Sequence, residues 1–171
     1  PKMRAGARER GDDPDELPKT YAQLINRVID GRPDDLTMAI HLCRGNYRST
    51  WFAEGGYEPV AEILFSQINV DAYFLEYDDE RSGDFAPLRY VPENKIVVLG
   101  IISSKIPQLE NMADLTKRIA EASQYIPLDN LCVSPQCGFS STHHGNVLTE
   151  DDQWRKLELV VNTARTVWGE S

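Results

Sequence analysis

Apolar residues along the chain switch between two periods. In residues 18–29, Tyr21, Leu24, Ile25 and Val28 recur at helical spacing, and Gly31-Arg32-Pro33 ends the run. Residues 36–43 (LTMAIHLC) form a short apolar run that predicts a buried strand. Residues 59–68 place Val60, Ile63, Leu64 and Ile68 on one helical face, and residues 72–77 (AYFLEY) predict a second strand. Residues 95–102 (KIVVLGII) are apolar on both faces, as in a parallel sheet covered by helices. Leu115, Ile119 and Ala122 mark a helix over 112–126, and residues 131–137 give a fourth strand. Thr149-Glu150-Asp151-Asp152 carries a cap and acidic residues at a helix start. Trp154, Leu157, Val161, Ala164 and Trp168 then define its apolar stripe.

The predicted order is αβαβαβαβα, with each strand-helix step close to the size of a βαβ unit. That order means an α/β fold with a parallel sheet, either open and doubly wound or part of a barrel. In both architectures chemistry gathers at the C-terminal ends of the strands.

Composition narrows the function classes. The 171 residues fit one domain, taken as residues 1–171, and no repeat, low-complexity tract or linker divides them. Eighteen Lys and Arg face 27 Asp and Glu, a formal net charge of −9, which disfavours phosphate backbones and argues against a nucleic-acid partner. No apolar run reaches the roughly 18 residues of a membrane span, so no membrane association is expected. The basic start at Pro1-Lys2-Met3-Arg4 precedes no apolar stretch, unlike a secretory signal. Three cysteines do not make a disulfide framework, so a reducing, cytoplasmic location is expected. The chain begins at Pro1 rather than Met, and is expected to be a fragment or a trimmed product.

The strand ends carry the chemistry. The first ends in His41-Leu42-Cys43, where residues two apart share a face and one ion is within reach of both. The second ends in Glu76-Tyr77-Asp78 and the fourth in Pro135-Gln136-Cys137-Gly138. If the strands are parallel, His41, Cys43, Glu76 and Cys137 converge on one rim. Thiolates with an imidazole and a carboxylate suit tetrahedral Zn²⁺. The ligand atoms are expected about 2.0–2.3 Å from such an ion, or within a few ångströms of one another without it. Cys132, mid-strand, reads as a core filler. His143-His144 reads as part of a solvated loop. Asp78-Asp79-Glu80 reads equally as a cation or amine site and as a solvated turn.

Together, His41-Leu42-Cys43-Arg44-Gly45-Asn46, Phe74-Leu75-Glu76-Tyr77-Asp78 and Ser134-Pro135-Gln136-Cys137-Gly138 resemble motifs of the cobalamin-independent methionine synthase family. The likeness is to its catalytic C-terminal domain and to short, single-domain bacterial relatives. It implies the C-terminal half of a (β/α)₈ TIM barrel, with zinc held by His41, Cys43, Glu76 and Cys137. It also implies methyl transfer to homocysteine from a methyltetrahydrofolate-type donor, giving methionine. Where full-length synthases carry Asp-x-His, this chain reads Gly100-Ile101-Ile102-Ser103. Ser103, Ser104 and His143 are the nearby candidates for the missing proton donor. That departure keeps open a zinc-dependent thiol alkyltransferase with an epoxide-type electrophile, and four candidate ligands leave room for a non-catalytic half-barrel with structural zinc. Four strands do not close a barrel. The inner sheet face, assigned to Ala39, Phe74, Leu99 and Val133, is expected to pair with a missing N-terminal half or a second copy of the chain.

Overall fold

In the computed structural model, which describes residues 2–140 and 142–169, four parallel strands lie in the order β1-β2-β3-β4. They are β1 (Ala39–Leu42), β2 (Ala72–Glu76), β3 (Ile96–Ile102) and β4 (Leu131–Pro135). The helices are α1 (Lys2–Glu9), α2 (Leu17–Ile29), α3 (Ala61–Gln67), α4 (Met112–Ala122) and α5 (Glu150–Trp168). The sequence pattern predicts every one of these except α1, which precedes the first apolar stripe.

Strand register divides the sheet into two unlike faces. Tyr73, Leu75, Val97, Leu99 and Leu131 are buried together with Ala22, Ala61, Phe65, Leu115, Ile119 and Leu159 from α2, α3, α4 and α5. One core therefore lies between the helical layer and one face of the sheet. A doubly wound sheet would cover both faces, whereas a strand order that follows the chain with helices on one face is the half-barrel arrangement. The alternate residues form the other face, where Ala39 and Cys132 are exposed and Phe74 is 38% exposed.

Four expectations change here. Leu99 and Val133 belong to the helix-covered face, one residue out of phase with Ala39 and Phe74. Cys132 does not fill the core; it shares a register row with His41, Phe74 and Val98 on the open face. On α5 the buried residues are Asp152, Lys156, Leu159 and Thr163, while Trp154 and Val161 point to solvent. Tyr21, Leu24 and Val28 likewise form an exposed stripe on α2, which buries Ala22 and Ile29 instead.

Gly100 positions the end of the sheet. A Cβ at this position would stand 2.7 Å from Gln136 Cα and 2.8 Å from Leu75 O, closer than real contacts allow. The pairing of β3 with β4 also shifts register between Gly100 and Ile102. A glycine and an irregularity in one strand are what a close backbone approach requires. They let Gln136 cross over β3 and carry Cys137 toward the strand ends of β1 and β2.

Candidate metal centre

The four residues singled out at the strand ends come together. One ligand atom from each of His41, Cys43, Glu76 and Cys137 lies within 4.8 Å of the others. His41 lies in β1 and Cys43 directly follows it; Glu76 ends β2 and Cys137 follows β4 by two residues. The sulfurs of Cys43 and Cys137 are 4.0 Å apart, twice a disulfide bond length, and His41 Nε2 is 3.7 Å from Glu76 Oε1. Neither Cys132 nor the two loop histidines join this group.

The loop after β1 holds the first two ligands. Gly45 has φ +96°, and a Cβ there would meet Phe52 N at 2.8 Å, so the turn requires glycine. The turn aims the Gly45 N–H at Cys43 Sγ, 3.2 Å away. Asn46, also buried, donates through Nδ2 to Ser104 Oγ at 3.1 Å and to the Gly138 carbonyl at 3.0 Å. It ties the β1 loop to the residue beyond Cys137.

Glu76 is fully buried. Its Oε2 accepts the Arg44 N–H at 3.0 Å, but its Oε1 has no hydrogen-bond partner among the described residues. A buried carboxylate oxygen without a partner is costly unless something positive meets it. Burial pushes the Cys43 thiol up to about 11, and the hydrogen bond to Cys137 holds the His41 pKa above its ordinary value. A cation entering this cluster must therefore displace protons from its ligands. Two sulfurs, an imidazole nitrogen and an unpaired carboxylate oxygen at this spacing fit zinc better than a hard cation.

The acidic run after β2 divides: Asp78 is taken up by the protein's own cations, whereas Asp79 is partly exposed and Glu80 exposed. Asp78 is buried, with Oδ1 3.1 Å from Arg81 Nη2 and Oδ2 3.2 Å from Lys105 Nζ. Ser103 Oγ also donates to Asp78, and Ser104 Oγ donates to the Gly138 carbonyl, so both hydroxyls serve the scaffold. His143 and His144 are exposed and lie ring against ring, and His144 meets Tyr47 edge-on. Ile102 is fully buried. A cleft of about 260 Å³ opens beside His41 and Cys137, lined also by Phe74, Ser134 and Gln136.

Residues 21–165 match the family model described as the cobalamin-independent synthase catalytic domain. The chain belongs to this family. It is 52% identical over 168 residues to the uncharacterized Bacillus subtilis protein YxjH, covering 98% of this chain and 45% of that protein. A structure from Listeria monocytogenes, assigned to the vitamin B12-independent methionine synthases, superposes with a TM-score of 0.73 at 43% identity. The match covers 94% of this chain and 44% of that one. A B12-independent methionine synthase from Shewanella sp. W3-18-1 has the same fold at 20% identity and a TM-score of 0.71, over 90% of this chain and 44% of its own. The chain thus spans less than half the length of these relatives.

Arg44 and Tyr57 went unassigned in the sequence reading. Arg44 stands inside the His-Leu-Cys-Arg-Gly-Asn motif, so its position beside a ligand was a usable signal. Tyr57 carries no local signal, because it reaches Glu76 only through the fold of the β1 loop.

Proposed function

We propose that this chain is the zinc-binding half of a barrel that transfers a methyl group to the sulfur of homocysteine. The observation that carries the reading is the convergence of His41, Cys43, Glu76 and Cys137 around the unpaired oxygen of Glu76. A bound zinc would act as a Lewis acid that keeps a thiol deprotonated near neutral pH, when a free thiol is mostly protonated. Two thiolates and a carboxylate leave the centre electron-rich, which preserves the nucleophilicity of a substrate sulfur. A centre built to activate water more often uses neutral histidines.

The chain's own residues do the rest of this work. The Gly45 N–H supports Cys43, and Asn46 holds the Cys137 loop against the β1 loop. The cleft beside His41 and Cys137 has room for a short aliphatic thiol. Family membership points to a methyltetrahydrofolate-type donor. In the transfer, a sulfur–carbon bond forms as the donor's nitrogen–carbon bond breaks. The electron pair stays on that nitrogen, which then takes a proton.

Zinc X-ray absorption on the intact protein, with and without homocysteine, tests the reading. One additional Zn–S scatterer on adding homocysteine is expected. An unchanged shell would overturn the reading in favour of a closed structural site.

A further inference from the structure

Glu76 is gripped at three of its four polar backbone and carboxylate positions by two residues outside the ligand set. The Arg44 N–H donates to Oε2 at 3.0 Å, and Arg44 Nη1 donates to the Glu76 carbonyl at 2.6 Å. Tyr57 OH accepts the Glu76 N–H at 2.9 Å. The Arg44 guanidinium lies 4.2 Å from the centre of the Tyr57 ring, so the two also brace each other. Arg44 and Tyr57 are 7% and 5% exposed. The Arg44 carbonyl accepts from both Phe52 N and Ala53 N at 2.9 Å, which fixes the backbone from which the guanidinium projects. What remains of Glu76 is Oε1, buried, unpaired and 3.7 Å from His41 Nε2.

We propose that Arg44 and Tyr57 are positioning residues that lock Glu76 into one-oxygen coordination through Oε1. The inference rests on the zinc reading above. With Oε2 occupied by an N–H, the carboxylate cannot swing to a bidentate mode without losing a buried hydrogen bond. With the peptide of Glu76 held on both sides, the end of β2 cannot withdraw from the end of β1. Arg44 has a second, electrostatic role. A divalent ion with two thiolates and one carboxylate has net charge −1, and the neighbouring buried guanidinium brings the half-exposed cluster to neutrality. Partners of this kind around metal-bound carboxylates typically account for about 10–100-fold in metal affinity.

The test measures zinc affinity by competition with a chromophoric chelator, and the cobalt(II) absorption spectrum, on the intact protein. R44A, which removes the guanidinium contact and its charge but leaves the backbone N–H on Oε2, and Y57F are each expected to weaken zinc binding about 10–100-fold and to shift the cobalt ligand-field bands. R44K keeps the charge and one donor, and is expected to recover part of the affinity. In an E76Q background, R44A is expected to cause little further loss, because its effect runs through Glu76. Normal affinity and an unchanged cobalt spectrum in R44K, R44A and Y57F would overturn the inference while leaving the zinc reading intact. So would full additivity of R44A with E76Q. Failure of the wild-type protein to take up zinc would overturn both. Circular dichroism identifies any variant that fails to fold, and R44K and Y57F then carry the test.

Discussion

The three cysteines differ in what their sulfurs meet. Cys43 and Cys137 face each other across 4.0 Å at the strand ends, and Cys132 sits one row lower on the open face of the sheet. Replacing either of the first two with serine exchanges a soft thiolate for a hard, mostly protonated hydroxyl. C43S and C137S are therefore expected to lose bound zinc, measured by elemental analysis after gel filtration, whereas C132S retains it. Equal loss in all three variants would mean that Cys132 also serves the metal. The cluster of four candidate ligands was legible because each member lies at or just past a predicted strand end, and parallel strands bring those ends to one rim. The core role assigned to Cys132 was not borne out, since the burial of a strand residue depends on what covers its face. The even reading of Asp78 between a cation or amine site and a solvated turn is decided by Lys105, which comes from the distant loop after β3 and, with the nearby Arg81, clamps the carboxylate.

At the level of elements, strand and helix positions followed from the pattern, but the phase of two helices did not. Helix α5 begins at a reciprocal cap between Thr149 and Asp152, as its sequence predicts. Its buried side, however, includes a lysine. Lys156 is fully buried and donates to both carboxylate oxygens of Glu110, at 3.0 and 3.1 Å, and to the Gln108 carbonyl at 2.7 Å. Glu110 in turn accepts the Ser103 N–H at 2.8 Å, which links α5 to the loop after β3. A hydrophobic count treats lysine as solvent-facing and so rotates the helix the wrong way. The structural consequence is measurable. K156A leaves a carboxylate beside the core without its cation, and removing one partner of a buried pair costs about 3 kcal/mol or more. Urea unfolding should show a lowered midpoint with an unchanged slope. A loss below about 0.5 kcal/mol, the range of ordinary surface changes, would show that Glu110 is satisfied by water instead.

For the whole molecule, the four-strand sheet formed by the described residues leaves both edges unpaired and one face without a helical layer among those residues. Closed barrels of this type have eight strands, which abolish edges altogether. The open face carries Ala39, Phe74 and Cys132, and in the helical layer α2 exposes Tyr21, Leu24 and Val28 and α5 exposes Trp154 and Val161. A groove of about 580 Å³ between α1, α2 and α3 adds Ile25, Ile40 and Ile63 to the apolar surface near β1. An open sheet face next to strand edges of this kind marks a place where protein is meant to pack. We propose that a second half-barrel covers it, either an N-terminal partner or another copy of the same chain. The matched relatives, more than twice as long as this chain, have the length for such a half. Residues 1–171 expressed alone are therefore expected to self-associate in light scattering. A separately expressed N-terminal half of a relative such as YxjH should convert them into a defined complex. A monodisperse 19.3 kDa particle with a single cooperative unfolding transition would overturn this, because the open face would then be stable in water by itself.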